Sequence, residues 1–236
     1  MKTTLFPGIA VCLGALSLIA QAPPRVPIFV TPDQLNIAAL LPNPPAAGSP
    51  ALKADLAELH RIQETRTPEQ IAHAKADEAE ESMFAFKDVV GPRFTREALP
   101  KTALLSDHVH SDEGVIVNPA KTFFHRPRPY NFDSTIKPVC KVSANMADYS
   151  YPGGHATTGY LEALTLMMLL PEKRDAILAR ADDYAHSRAV CGVHYPADLV
   201  VSKYTAYAMM GIMVNNPRFR QELEAARSEL RQLPGM

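Results

Sequence analysis

Tryptophan is absent from this chain of 236 residues, and aromatic residues make up only 7% of it. An aromatic surface that stacks the bases of single-stranded nucleic acid is therefore not expected. An excess of one charge is also missing, since the formal net charge is −1 at pH 7. That balance predicts no general attraction to nucleic acid or to an anionic membrane. Any affinity for phosphate must come from a local cluster of cations.

Long hydrophobic runs are lacking as well. The apolar segment 161–170 ends at Pro171 after about ten residues, whereas a membrane-spanning helix needs about 20. The segment 199–214 contains Ser202, Lys203 and two tyrosines. Both segments are interpreted as core helices, so we expect no stable membrane insertion of the mature chain.

The N-terminus has the features of a secretory signal peptide. Lys2 supplies the positive start, residues 9–20 form an apolar run, and Ala20-Gln21-Ala22 places small residues at the −3 and −1 positions. We expect cleavage after Ala22 and a periplasmic or secreted protein. The alternative is an uncleaved membrane anchor.

Cysteine is scarce, and only Cys140 and Cys191 remain once the segment that contains Cys12 is removed. In an oxidising compartment two such cysteines can pair. The bond would close a loop of about 50 residues and stabilise the fold by about 3–4 kcal/mol in the chain-entropy model. Two buried free thiols are the alternative.

The patterning of the mature chain is helical. Proline is frequent in residues 23–50, which predicts an extended N-terminal arm. Apolar residues then recur at spacings of three and four, and no alternating strand pattern or internal repeat is present. We expect one all-α domain over residues 51–236, built on a core helix bundle. The predicted helices cover residues 51–62, 68–89, 95–113, 155–170, 172–190, 196–213 and 217–230.

Three segments contain the candidate site residues: 121–129, 152–155 and 187–198. Cations occur in the first and the third of them. Lys121 precedes Arg128 by seven residues, and prolines on both sides of Arg128 hold its backbone in a non-helical conformation. Arg188 lies in the third segment. Arginine offers a planar fork that grips two oxygens of a phosphate group, and lysine offers a point charge. The alternative for Arg126 and Arg128 is a solvated basic loop, and for Lys121 an ordinary surface position.

The second segment is a glycine turn that leads into a helix. Gly153 and Gly154 let backbone N–H groups approach an anion, and a helix N-terminus adds favourable partial charge. His155 at that entrance can act as a general acid toward a leaving alkoxide. A structural turn or capping histidine is the alternative.

The third segment is the most specific. His194 and Asp198 are four residues apart, and Pro196 suits the first turn of a helix. A carboxylate bonded to Nδ1–H would leave Nε2 free as a nucleophile and would stabilise the positive charge that develops on the ring. A metal-binding pair is the alternative, but further ligands are lacking, since His108 and His110 are interpreted as solvated surface residues.

Together the segments follow the signature Lys-x6-Arg-Pro, Pro-Ser-Gly-His and Ser-Arg-x5-His-x3-Asp, with glycine in place of the serine. This signature resembles that of the type 2 phosphatidic acid phosphatase superfamily, which includes the vanadium-dependent haloperoxidases. The chain is most similar to the bacterial class A non-specific acid phosphatases, which are secreted all-α enzymes. The proline-rich segment that precedes the helices of those enzymes resembles residues 41–49 of this chain.

The resemblance implies a role for each site residue and an acid phosphatase that acts on phosphate monoesters without metal or cofactor. His194 would attack phosphorus and form a phosphohistidine, Asp198 would orient His194, and His155 would protonate the leaving group and then activate water. The phosphate oxygens would contact the remaining residues, which are Lys121, Arg128, Arg188 and the turn formed by Gly153 and Gly154.

Gly153 departs from the family pattern, in which a serine hydroxyl binds phosphate. Loss of that bond would cost about 1.5–3 kcal/mol unless water or the more accessible backbone N–H replaces it. We therefore expect a slower phosphatase that gains activity on Gly153→Ser substitution. The alternatives are phosphotransfer, lipid or diphosphate hydrolysis, vanadate-dependent halide oxidation, and a non-catalytic phosphate-binding protein. The oligomeric state is left open, a homo-oligomer included.

Overall fold

The structure is a computed structural model that describes residues 25–146 and 148–232. The predicted signal peptide, residues 1–22, lies outside the described residues. Within those ranges all regular secondary structure is helical, so the all-α prediction is confirmed. No described helix combines the length and the apolar character needed to cross a membrane.

Ten α-helices and two 3₁₀ turns follow one another along the described chain. The 3₁₀ turns are Met83–Phe86 and Pro171–Lys173. The α-helices are α1 (Ile37–Leu40), α2 (Pro50–Thr65), α3 (Pro68–Ala79), α4 (Lys87–Val90), α5 (Pro100–Phe124), α6 (Pro129–Phe132), α7 (Gly154–Leu169), α8 (Arg174–Val190), α9 (Pro196–Met213) and α10 (Pro217–Leu230).

Helix α7 lies at the centre of the fold and packs against α5, α8, α9 and α10. Leu161, Ala163 and Leu166 are all buried in the main hydrophobic core. A helix with neighbours on several sides has no polar face to present to solvent, which explains the nearly continuous apolar sequence. The apolar segment 161–170 is therefore part of a core helix, and the segment 199–214 lies in α9, which packs one side against it.

The helix predicted over residues 68–89 ends earlier. Thr67 caps its start as expected, because its Oγ1 accepts a hydrogen bond from the N–H of Gln70. The helix stops at Ala79, and the hydroxyl of Ser82 accepts from the N–H of Phe84 and begins a 3₁₀ turn. A side-chain acceptor that competes with the helical pattern explains the break. The irregular segment places Glu81 beside the candidate site.

The helix predicted over residues 95–113 is displaced, since α5 starts at Pro100 and continues to Phe124. It passes through Pro119, which lacks an N–H donor but lies on the exposed side of the helix. Gly114 allows the N-terminal arm to approach, because a Cβ there would lie 2.6 Å from Cδ of Arg25. The extension brings Lys121 into the last turn of α5.

The proline-rich arm is anchored to α5 by one carboxylate. Asp112 accepts hydrogen bonds from the N–H groups of Ile28, Phe29 and Val30 at 2.6, 2.7 and 3.0 Å. Phe29 and Val30 are buried in the main core. Burial of Asp112 raises its pKa even though these donors favour the charged form.

Cys140 and Cys191 form a disulfide, as the sequence favoured. The bond joins the irregular segment before α7 to the residue that follows α8. It therefore ties the chain near Asp148 to the end of the helix that carries Arg188.

Candidate active site

The three segments meet around a cavity of about 570 Å3. Lys121 lies at the end of α5 and Arg128 just before α6. Gly153 precedes α7, Arg188 is in the last turn of α8, and His194 and Asp198 flank the start of α9. The predicted site residues, 121 to 198 in sequence, are thus brought together by the ends of five helices.

His194 is 1% exposed and contacts an acidic and a basic side chain at its two nitrogens. Nδ1 lies 3.3 Å from Oδ2 of Asp198, and Nε2 lies 2.9 Å from Nη1 of Arg128. Because a guanidinium has only donors, Nε2 carries the lone pair and the ring hydrogen on Nδ1 faces Asp198. Burial, reinforced by Arg128, Lys121 and Arg188, lowers the pKa of His194 well below its ordinary value. Burial and the neighbouring cations therefore favour the neutral form of the ring.

Asp198 is fully buried and accepts three hydrogen bonds. Oδ2 accepts from the N–H of Tyr195 at 2.9 Å in addition to the His194 contact, and Oδ1 accepts from Nη1 of Arg126 at 2.6 Å. Burial raises the pKa of Asp198 to about 6 in spite of the opposing effect of Arg126. The carboxylate is consequently sensitive to pH in the acidic range.

The alternative of a solvated basic loop is wrong for Arg126 and Arg128, since both side chains are buried. Arg126 is 5% exposed, donates to Asp55 at 2.8 Å as well as to Asp198, and lies 3.8 Å above the ring of Tyr195. The two carboxylates raise the pKa of Arg126 more than burial lowers it. Nothing in the sequence marked Asp55 as its partner, since it lies on α2.

Arg188 has an unused donor. The side chain is 3% exposed, and its buried Nε has no hydrogen-bond partner among the described residues. Nη2 lies 3.4 Å from Oε1 of Glu78. A buried guanidinium N–H without an acceptor is costly, and an oxyanion in the cavity would satisfy it.

Lys121 and Gly154 lie beside a buried carboxyl group. A Cβ at Gly154 would lie 3.0 Å from Oε1 of Glu113 and 3.5 Å from Nζ of Lys121, so glycine permits this close approach. Burial, followed by the charge of Arg128, lowers the pKa of Lys121. Burial raises the pKa of Glu113. Sequence reasoning did not identify Glu113.

The backbone of Gly153 is hydrogen-bonded to Ser202. Its N–H donates to Oγ of Ser202 at 2.9 Å, so the expectation that this N–H becomes more accessible to phosphate is wrong. The first N–H groups of α7, those of Gly154 and His155, have no acceptor within the helix. These donors therefore remain for an oxyanion.

His155 is 25% exposed and is paired with a second carboxylate. Its Nε2 lies 3.0 Å from Oε1 of Glu81 and 3.3 Å from the carbonyl oxygen of Glu78. Burial of Glu81 raises its pKa, but the hydrogen bond and charge of His155 outweigh this and lower it overall. Both histidines of the site thus face a carboxylate.

The cavity wall is more acidic than the sequence predicted. Glu78, Glu81 and Asp148 line it together with Arg128, Arg188 and His155. Asp148 binds Nη2 of Arg128 at 2.8 Å. The acidic run at residues 77–81 was visible in the sequence and could have indicated this wall, but Asp148 stands alone and carried no signal.

Histidines outside the site also differ from expectation. His108 and His110 are only partly exposed, since His108 lies 2.7 Å from Oε2 of Glu222 and His110 lies 2.9 Å from the carbonyl oxygen of Glu81. The prediction of solvated surface positions was wrong for both.

A group of side chains with metal-ligand spacing lies on α3 and α8, and one of them, Asp77, accepts a hydrogen bond from the hydroxyl of Ser187 at 2.6 Å. His73, Asp77 and Asp183 offer ligand atoms within 4.8 Å of one another. The guanidinium of Arg180 pairs with both carboxylates and already supplies the positive charge between them. The arrangement is accounted for as an ion-pair network that joins the two helices.

The chain is similar in sequence to known proteins over most of its length. Residues 112–222 match the PAP2 superfamily. A non-specific acid phosphatase of Providencia stuartii is 30% identical over 94% of this chain and 96% of its own length. An acid phosphatase of Zymomonas mobilis is 29% identical over 79% of this chain and 72% of its own length. A non-specific acid phosphatase of Salmonella typhi is 26% identical over 86% of this chain and 83% of its own length.

The family match covers the stretch that holds the predicted site residues, from the end of α5 to α9. The full-length similarity extends to the arm and the first helices. The chain therefore belongs to the PAP2 superfamily of phosphatases and is similar, over nearly its whole length, to bacterial non-specific acid phosphatases.

Proposed function

We propose that this chain is a secreted acid phosphatase that hydrolyses phosphate monoesters through a phosphohistidine on His194. The observation that carries the proposal is the environment of His194: a buried neutral ring with Asp198 at Nδ1 and a lone pair at Nε2. A nucleophile whose neutral form is favoured and which is oriented by a carboxylate meets the requirements of covalent phosphoryl transfer.

Substrate binding places the phosphoryl group between the three cations. Arg188 offers its unpaired Nε, and Lys121 and Arg128 neutralise further oxygens. Arg128 donates to the Nε2 lone pair at 2.9 Å. When Arg128 turns to a phosphate oxygen, that lone pair becomes free to attack. Binding and activation of the nucleophile are therefore coupled through one arginine.

The first chemical step forms the bond between Nε2 of His194 and phosphorus while the bond from phosphorus to the ester oxygen breaks. His155 gives its proton to the departing alkoxide. Asp198 stabilises the positive charge on the phosphorylated ring through the hydrogen on Nδ1. In the second step His155 takes a proton from water, the water oxygen attacks phosphorus, and the P–N bond breaks to release phosphate.

The cellular setting belongs to the same proposal. A signal peptide at residues 1–22 would direct export, and the Cys140–Cys191 disulfide fits an oxidising compartment. We therefore assign the mature enzyme to the periplasm or the extracellular medium.

The test is hydrolysis of p-nitrophenyl phosphate by the purified mature chain between pH 4 and 7. His194→Ala should abolish turnover, and acid quenching of the wild type with labelled substrate should trap an acid-labile phosphoryl adduct that the variant lacks. His186→Ala, an exposed histidine on α8, is the matched control and should retain activity. A wild type without activity that still binds phosphate would favour a non-catalytic phosphate-binding protein, and peroxide-dependent bromide oxidation with vanadate would favour a haloperoxidase.

A further inference from the structure

The cavity is much larger than a phosphate group. Its volume is about 570 Å3, and its lining extends from Arg128, Arg188 and His155 outward to Tyr130, Val142 and Ser143. Because His155 would protonate the departing oxygen, the leaving group of a bound ester must occupy the outer part of this space. The side chains there determine which leaving groups are favoured.

Three carboxylates border the space: Glu78, Glu81 and Asp148. Each is paired with a side chain that the proposed reaction uses: Glu78 with Arg188 at 3.4 Å, Glu81 with His155 at 3.0 Å, and Asp148 with Arg128 at 2.8 Å. A bound phosphoryl group competes for those same cations. The negative charge of each carboxylate is then neutralised less fully by its cation, and this charge faces the leaving group.

The remaining charge in the outer part of the cavity is Lys141. Its side chain is exposed, and its backbone N–H donates to Oε2 of Glu78 at 3.0 Å. One solvated ammonium on a flexible stem compensates three carboxylates incompletely. Tyr130 adds an aromatic ring to the same wall, and aromatic rings beside carboxylates favour organic cations.

We propose that this acidic wall selects phosphate monoesters whose leaving group carries an ammonium, that is, amino-alcohol phosphates, over esters with an anionic leaving group. The inference rests on the proposed phosphatase function and adds a substrate class to it. Glu78 and Glu81 are its specificity-determining residues. At an effective dielectric constant of about 20, a charge about 5 Å from a carboxylate is worth at least a tenfold change in binding.

The experiment compares kcat/KM for phosphoethanolamine, phosphocholine, glycerol 3-phosphate and 3-phosphoglycerate on the same preparation. We expect kcat/KM for phosphoethanolamine to exceed that for 3-phosphoglycerate by about tenfold or more, with a ratio that falls as salt is added. Glu78→Gln and Glu81→Gln should each reduce this ratio about threefold or more. The ratio is the decisive quantity, because a general loss of activity through Arg188 or His155 affects every substrate alike.

Asp175→Asn is the matched control. Its side chain is 91% exposed, and it precedes Arg188 by 13 residues on α8, about 20 Å along the helix. The control should leave the ratio unchanged. A wild-type preference for 3-phosphoglycerate, or a ratio that the two glutamine variants do not alter, would overturn the inference while leaving the phosphatase function intact.

Failure of the proposed function gives a different result, because no ester would then be hydrolysed, p-nitrophenyl phosphate included. In that case the charge preference is measured directly as Kd for phosphoethanolamine and for 3-phosphoglycerate by calorimetry. Tighter binding of phosphoethanolamine that Glu81→Gln weakens supports the acidic wall, and tighter binding of 3-phosphoglycerate contradicts it.

Discussion

Ser202 occupies the space that a side chain at Gly153 would need. A Cβ built on Gly153 would lie 3.1 Å from Oγ of Ser202 and 3.2 Å from Cε1 of His194. The same hydroxyl accepts from the N–H of Gly153 and contacts the carbonyl oxygens of Gly153 and Asp198 at 3.1 and 2.6 Å. Ser202 on α9 therefore holds the backbone of the turn at Gly153.

The first prediction concerns Gly153→Ser. The sequence suggested that this substitution would raise activity, but the structure leads us to expect a loss of kcat/KM of roughly tenfold, because the new Cβ must shift Ser202 or His194 by a few tenths of an ångström. The double variant Gly153→Ser with Ser202→Ala relieves that contact and should recover most of the activity. The measurement is kcat and KM for the two single variants and the double variant. A gain of activity in Gly153→Ser alone would show that the turn accommodates serine freely.

The second prediction concerns Arg126. Replacement by methionine leaves Asp55 and Asp198 buried without their shared cation, which should destabilise the protein by about 3–5 kcal/mol. Urea unfolding of wild type and variant measures the difference. Arg61→Met is the matched control: Arg61 pairs with Glu58 on the surface, and its loss should destabilise the protein far less. Equal losses in the free energy of unfolding would show that the buried ion pairs stabilise the fold no more than the surface pair does.

The third prediction concerns the acid limb of the pH profile. The pKa of Asp198 is raised to about 6, so its carboxylate is protonated as the pH falls below that value and no longer stabilises a positive His194. We expect kcat to fall below about pH 6. The profile of Asp198→Asn should be low and should lack this limb. A wild-type kcat that stays constant down to pH 4 would contradict the assignment.

Asp198 also makes stability depend on pH with a definite sign. Its folded-state pKa lies above the ordinary value of 3.8, so the folded protein binds the proton more tightly than the unfolded chain does. Its contribution to the free energy of unfolding therefore declines as the pH rises from about 4 to about 6. The lowered pKa of His194 acts in the opposite direction, since its contribution is lost as the pH falls below 6.5. Comparison of the pH dependence of unfolding in Asp198→Asn and His194→Ala separates the two.

The fourth prediction concerns the disulfide. Cys140 and Cys191 are 51 residues apart, so replacement of both by serine should lower the free energy of unfolding by about 3–4 kcal/mol. Thermal unfolding of the double variant, with and without reductant, provides the measurement. Reductant should lower the Tm of the wild type but not that of the variant. An unchanged wild-type Tm under full reduction would mean that the bond does not stabilise the fold.

Local sequence signals predicted the bounds of several helices correctly. The start of α9 at Pro196 and both ends of α10, Pro217 and Leu230, agree with the pattern because proline at a first turn and capping side chains act between neighbours. Local signals gave the wrong bounds for the helix predicted over residues 95–113 and the wrong end for the helix predicted over residues 68–89. The passage of α5 through Pro119 depends on packing that no local pattern contains, whereas the break after Ala79 has a local cause in the hydroxyl of Ser82.

The sequence by itself determined the helical class and the set of groups proposed for the reaction, because apolar spacing and a three-part motif are written in residue order. Only the tertiary structure decided how the charges pair. Arg126 meets Asp198 across 72 residues of chain and Arg188 meets Glu78 across 110, and burial sets the proton affinity of each carboxylate. Such pairing follows from distance in space and from loss of solvent, neither of which residue order encodes.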